Sequence, residues 1–229
     1  MNKNILTSYA TALLVGGTLL LSSCSKDEVA PVITLKGDAV QTVVLNAPLV
    51  DPMATANDEK DGDVSANITS DYLDVVKKDL VGTYTVTYKV LDEKSNEGTE
   101  TRTVKVKNDA FAWEGSYSYA DECNGVVGGP YTGAVTITAS TTTNNKITFN
   151  KFAYYTNAKI DATASGSSLI IATQTVSGIG TANESHTFSA ASGTVTGTGA
   201  TGSKITVNFN DANNTGGGNV SCVSTYTKQ

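Results

Sequence analysis

The amino-acid sequence predicts an all-β chain in two folded parts: a β-sandwich of short strands, then an antiparallel β-barrel of about eight strands or a second sandwich. Three observations carry this. Apolar and polar residues alternate with a period of two, most plainly over residues 82–90, where Tyr84, Val86, Tyr88 and Val90 alternate with Thr83, Thr85, Thr87 and Lys89. Gly, Pro and Asn break the alternation about every 8–12 residues, the turn spacing of sandwiches and barrels. No window carries the three-to-four-residue period of an amphipathic helix.

Residues 1–23 read as a secretory signal. Lys3 supplies the positive end, residues 10–21 an apolar run shorter than the roughly 20 residues of a membrane span, and Ser22 and Ser23 the small residues before a cut at Cys24. Residues 24–30 form a polar tether. Pro31 then suits the first position of a strand over residues 32–35. Further strands are predicted at 40–45, 82–90 and 99–106, with a less regular extended stretch at 68–76. Residues 47–63, punctuated by Pro48, Pro52 and Gly62, read as mostly irregular. This first part spans 31–108.

The second part spans 111–229. Its first strand places Phe111, Trp113, Tyr117 and Tyr119 on one face. Strands follow at 131–139, 146–155, 158–164, 168–176, 186–198, 203–210 and 219–227, separated by loops rich in Gly and Asn. Cys123 closes the first of these strands and Cys222 lies in the last. An even cysteine pair in an exported chain predicts one disulfide, and joining the first strand to the last is the closure a barrel needs.

Charge bounds the function. The formal net charge is −6, and no basic cluster occurs, which argues against a nucleic-acid partner. Residues 24–109 hold 10 Lys/Arg and 16 Asp/Glu, whereas residues 110–229 hold 5 and 6, a shift that places a boundary near residues 108–111. Catalytic signatures are absent from the sequence: there is one histidine, His186, read as surface or barrel-lining, no nucleophile elbow and no cofactor motif. The chain is therefore read as non-catalytic.

Several stretches resemble known families. Leu20-Leu21-Ser22-Ser23-Cys24 is similar to the lipobox of bacterial lipoproteins, which implies acylation of Cys24 and a membrane attached through lipid. Lys26-Asp27-Glu28 resembles the export signal of Bacteroidota surface lipoproteins, which implies the outer face of the outer membrane. Asp51-Pro52, Asp61-Gly62-Asp63, residues 82–92 and Arg102-x-Val104-x-Val106, in that order, resemble the bacterial Ig-like repeat domain. Met53 and Ser95-Asn96 depart from its usual pattern. The second part resembles the lipocalin-like β domains that follow such modules.

These resemblances imply a surface protein in which an Ig-like module lifts a binding domain away from the membrane. The expected ligand is glycan, as an accessory to an outer-membrane polysaccharide-uptake complex. The alternatives are adhesion or protein interaction, and a lipocalin-like carrier of a small apolar molecule. Candidate ligand contacts are Tyr154, Tyr155, Trp113 and Tyr131, since sugars stack on aromatic rings. Asp58, Asp61 and Asp63 form a candidate calcium loop that lacks the spacing of an EF-hand.

Overall fold

The computed structural model describes residues 26–126, 129–180 and 182–229. The signal at residues 1–23 and the acylation expected at Cys24 lie outside the described residues.

The first unit contains β1 (Val32–Leu35), β2 (Val40–Val44), β3 (Ala54–Asp58), β4 (Gly62–Asp63), β5 (Thr69–Ser70), α1 (Tyr72–Val75), β6 (Gly82–Leu91) and β7 (Glu97–Lys107). Two sheets, ordered β1-β3-β4 and β2-β7-β6-β5, make the expected Ig-like sandwich, with β2 parallel to β7 and the other pairings antiparallel. The alternation read from residues 82–90 sets the core: Val86, Tyr88 and Val90 point inward to meet Val104, Val106 and Leu45.

Two elements depart from expectation. β3 and β4 fall within a stretch read as irregular, because the inward residues of β3 are Ala54 and Ala56, too small to advertise a strand. Residues 68–76 hold a two-residue strand and the single turn α1, which buries Tyr72.

One charge is sunk in this unit. Arg102 is 1 % exposed. Its guanidinium donates to the Tyr88 hydroxyl at 3.1 Å and to the carbonyls of Lys36, Asp38 and Met53. Tyr88 in turn donates to Asp51 at 2.6 Å, and Ser70 donates to the other Asp51 oxygen at 2.9 Å. Burial, reinforced by the bond to Asp51, pushes the Tyr88 hydroxyl up to about 12. The network satisfies the buried guanidinium and ties the β1–β2 loop, the β2–β3 loop and β5 to β6 and β7.

A 3₁₀ turn over Asp109–Trp113 leads to the second unit. Asn108, buried before it, accepts from the N–H groups of Ala110 and Asn145 and donates its amide to carbonyls of the 140–146 hairpin. That hairpin also bonds Asn46 and Val81 of the sandwich.

The second unit runs through β8 (Gly115–Cys123), β9 (Tyr131–Ala139), β10 (Lys146–Phe149), β11 (Ile160–Ser165), β12 (Ser168–Ile171), β13 (Gln174–Ile179), β14 (Glu184–Thr196), β15 (Lys204–Asn213) and β16 (Asn219–Lys228). Each strand pairs antiparallel with its neighbour in sequence, except that β12 and β13 both lie along β14. They act as one interrupted wall, so eight walls close when β16 pairs with β8. Of the two architectures expected, the barrel is the one formed. Gly193 in β14 is required where the walls come close, because a Cβ there would meet the Thr206 carbonyl oxygen at 2.6 Å. Cys123 and Cys222 face each other across the closing pair and are disulfide-bonded.

The interior is filled. Phe152 packs against Phe149, Phe188 and Phe209 with ring centroids 4.8–5.6 Å apart, and Tyr117, Tyr226, Ile137 and Ile147 complete the packing.

Candidate functional site

The up-and-down order brings the start of β14, the end of β15, the start of β16 and the loop after β10 to the end of the barrel remote from the sandwich. Two residues apart on one strand means one face. Glu184 and His186 therefore share a face of β14, and Asp211 and Asn213 share a face of β15. The register sets His186 opposite Asn213 and Phe188 opposite Asp211, so His186 and Asp211 are diagonal neighbours.

The tyrosines arrive by a loop. β10 was expected to run to residue 155, which would send Tyr154 and Tyr155 to opposite faces. It ends instead at Phe149, Phe152 plunges into the core, and Ala153 adopts φ 51°. This left-handed turn brings both rings to the same cavity, with centroids 4.2 Å apart.

Their hydroxyls join a polar row. Tyr155 donates to Asp211 Oδ2 at 2.8 Å, and His186 Nδ1 donates to Asp211 Oδ1 at 2.6 Å, the tautomer that the carboxylate demands. Because Tyr155 spends its proton on Asp211, Tyr154 donates to Tyr155 at 2.6 Å. His186 Nε2 lies 3.4 Å from Glu184 Oε2. Burial, together with the bonds to Tyr154 and Asp211, pushes the Tyr155 hydroxyl far above its ordinary range, and burial also raises Tyr154. Both phenols therefore stay protonated and act as donors. A hydrogen bond from the Asn213 side chain holds the Glu184 carboxyl below its usual range, so it remains an anion.

The row opens into a cavity of about 440 Å³ lined by Tyr154, Tyr155, Glu184, His186, Asp211 and Asn213, with Val220 as an apolar wall. That volume sits within the range of small-ligand sites, roughly 300–1,000 Å³. Tyr131, at the start of β9, extends the aromatic surface with its ring 5.0 Å from Tyr154. The arrangement offers ring faces beside fixed hydrogen-bonding groups.

Of the sequence candidates, Tyr154 and Tyr155 line the cavity and Tyr131 flanks it. Trp113 lies elsewhere. It is 9 % exposed in the core at the end of the 3₁₀ turn that precedes β8, at the opposite end of that strand from the cavity, and its carbonyl accepts from Tyr117. Sequence reasoning set His186 aside and passed over Glu184, Asp211 and Asn213. The available signal was Glu184-x-His186 followed by Asp211-x-Asn213, same-face polar pairs on consecutive strands.

The candidate calcium loop does not converge. Asp61 accepts from the Glu93 N–H of the β6–β7 turn at 2.8 Å, and Asp63 accepts from the Ser65 N–H of its own turn at 2.9 Å. Among the described residues, the acidic side chains that do converge are Asp58, Asp27 and Asp92.

Residues 33–106 match the family model described as "Bacterial surface protein, Ig-like domain". No curated protein matches the chain. Among solved structures, the lipoprotein BT2262 from Bacteroides thetaiotaomicron is 15 % identical, with 87 % of this chain and 100 % of that chain covered and a TM-score of 0.33. A protein of unknown function from Bacteroides ovatus is 12 % identical, with 87 % and 95 % covered and a TM-score of 0.35. The CBM51-2 and INT domains of Clostridium perfringens ZmpB, in complex with GlcNAc, are 16 % identical, with 78 % of this chain and 29 % of that chain covered and a TM-score of 0.27. With TM-scores and identities this low, none of the three bears on the chemistry of the cavity.

Proposed function

We propose that this is a non-catalytic surface lipoprotein, anchored through Cys24, whose barrel mouth binds glycan. The observation that carries the reading is the tyrosine surface Tyr131–Tyr154–Tyr155 laid beside the Glu184, His186, Asp211 and Asn213 hydrogen-bonding row in one cavity. A sugar ring has one face of C–H groups, which suits a phenol ring, and an edge of hydroxyls, which suits fixed carboxylate and amide oxygens. The family to which residues 33–106 match is one of bacterial surface proteins, which points to the cell surface. The packed barrel interior weighs against the carrier reading, since its rings occupy the space an apolar cargo would need. The partner proposed for it is an outer-membrane polysaccharide-uptake complex.

The test is affinity gel electrophoresis of the whole chain through a panel of polysaccharides, beside Tyr154→Ala. Retardation by at least one glycan, weakened about tenfold or more in the variant, supports the reading. Unretarded migration through the whole panel would remove glycan as the ligand class.

A further inference from the structure

We infer that the sandwich carries a calcium site formed by Asp27, Asp58 and Asp92, which staples the entering chain to the base of the fold. One carboxylate oxygen from each residue lies within 4.8 Å of the others, and the residues are 8, 2 and 7 % exposed. Calcium holds oxygen ligands at about 2.3–2.6 Å, so oxygens on opposite sides of one ion are up to about 5 Å apart and the three fit a single coordination sphere. Magnesium, at about 2.0–2.1 Å, would need them drawn closer.

A second observation points to a ligand. Asp58 Oδ1 accepts from the N–H groups of Lys60 and Asp61, at 2.8 and 3.0 Å. Asp58 Oδ2, buried, has no hydrogen-bond partner among the described residues. A buried carboxylate oxygen is costly to leave unpaired, and two further carboxylates beside it add repulsion that a divalent cation would reverse.

The placement gives the site a purpose. Asp27 belongs to the segment that joins the tether to β1, Asp58 to the end of β3 and Asp92 to the β6–β7 turn. The segment is laid closely on the sheet: a Cβ at Gly98 would meet the Pro31 carbonyl oxygen at 2.2 Å, and the Asn96 amide donates to the Asp27 carbonyl at 3.2 Å. An ion shared by all three would fix the direction in which the sandwich leaves its tether.

The test is calorimetric titration of the whole chain with CaCl₂, and thermal unfolding in about 5 mM CaCl₂ against EGTA, a concentration suited to the 10⁻⁴–10⁻³ M affinities of extracellular calcium modules. One calcium per chain and a rise of about 5 °C or more in the sandwich transition are expected. Asp58→Asn should abolish both. Because Asp58 also holds the β3–β4 turn, Asp27→Asn is the second variant, and it should lose binding while folding normally in EGTA. Asp63→Asn should keep the parent response. Absence of binding heat with equal melting in calcium and EGTA would overturn the site, as would parental affinity in Asp27→Asn.

Discussion

The sandwich and the barrel each bury tyrosine hydroxyls on an aspartate, and the two networks end differently. In the sandwich, Asp51 takes Tyr88 and Ser70, and Tyr88 leads inward to Arg102, whose other donors go to backbone carbonyls. In the barrel, Asp211 takes Tyr155 and His186, and the row leads outward to Tyr154 and Glu184, which line a cavity. The first network is closed by the chain's own backbone and has a structural task. The second stops at groups still able to meet a ligand. Similar chemistry thus serves support in one place and, under the proposed reading, recognition in the other, according to where the last donor or acceptor points.

The largest effect that would break this contrast is in the sandwich. Arg102→Leu strands three carbonyls and the Tyr88–Asp51 pair, and should cost about 3–5 kcal/mol in urea unfolding of that unit. Glycan retardation should be unchanged. Loss of both would mean that the two networks are coupled.

A third buried carboxylate belongs to neither network. Asp121 on β8 is fully buried, and among the described residues neither of its oxygens has a hydrogen-bond partner. Burial pushes it up to about 6 from an ordinary value of 3.8, and the Lys151 charge offsets only part of that. A raised carboxyl means that the folded state holds the proton more tightly. Its stabilisation is complete below pH 3.8 and is lost as pH rises through about 6. Barrel unfolding free energy should therefore fall by about 2 kcal/mol from this group between pH 4 and pH 7. Asp121→Asn should flatten that slope and raise barrel stability at pH 7; an unchanged slope by denaturant titration would contradict the assignment.

At the mouth the structural effect should be smaller and the binding effect larger. Asp211→Asn keeps the side-chain shape but gives up an anionic acceptor shared by Tyr155 and His186. It should cost about 2 kcal/mol of barrel stability and at least tenfold in glycan affinity. An intact affinity would place the ligand elsewhere.

Much of the frame was legible in the chain. Residues 82–90 show one strand face outright, and the Cys123–Cys222 spacing across the second unit foretold which strands close it. β3 escaped because Ala54 and Ala56 are weak apolar markers. The site was half legible. Tyr154 and Tyr155 stand out as a pair, but that they share a face depends on Ala153 turning left-handed after Phe152 is drawn into the core. His186 looks solitary because its partners, Asp211 and Tyr155, lie 25 and 31 residues away and meet it only through strand register. Asp27 and Asp92 were missed for the same reason. Sequence proximity favoured Asp61 and Asp63, but Asp61 bonds the distant Glu93 N–H and Asp63 the N–H of Ser65 in its own turn.

Under the proposed function, glycan binding depends on the barrel mouth and is independent of the sandwich network. Calorimetric titration of the whole chain with a retarding glycan, on the parent, Tyr154→Ala and Arg102→Leu, tests it most directly. Saturable binding in the parent, an affinity loss of about tenfold or more in Tyr154→Ala, and parental affinity in Arg102→Leu are expected. Parental affinity in Tyr154→Ala, or equal losses in both variants, would contradict it.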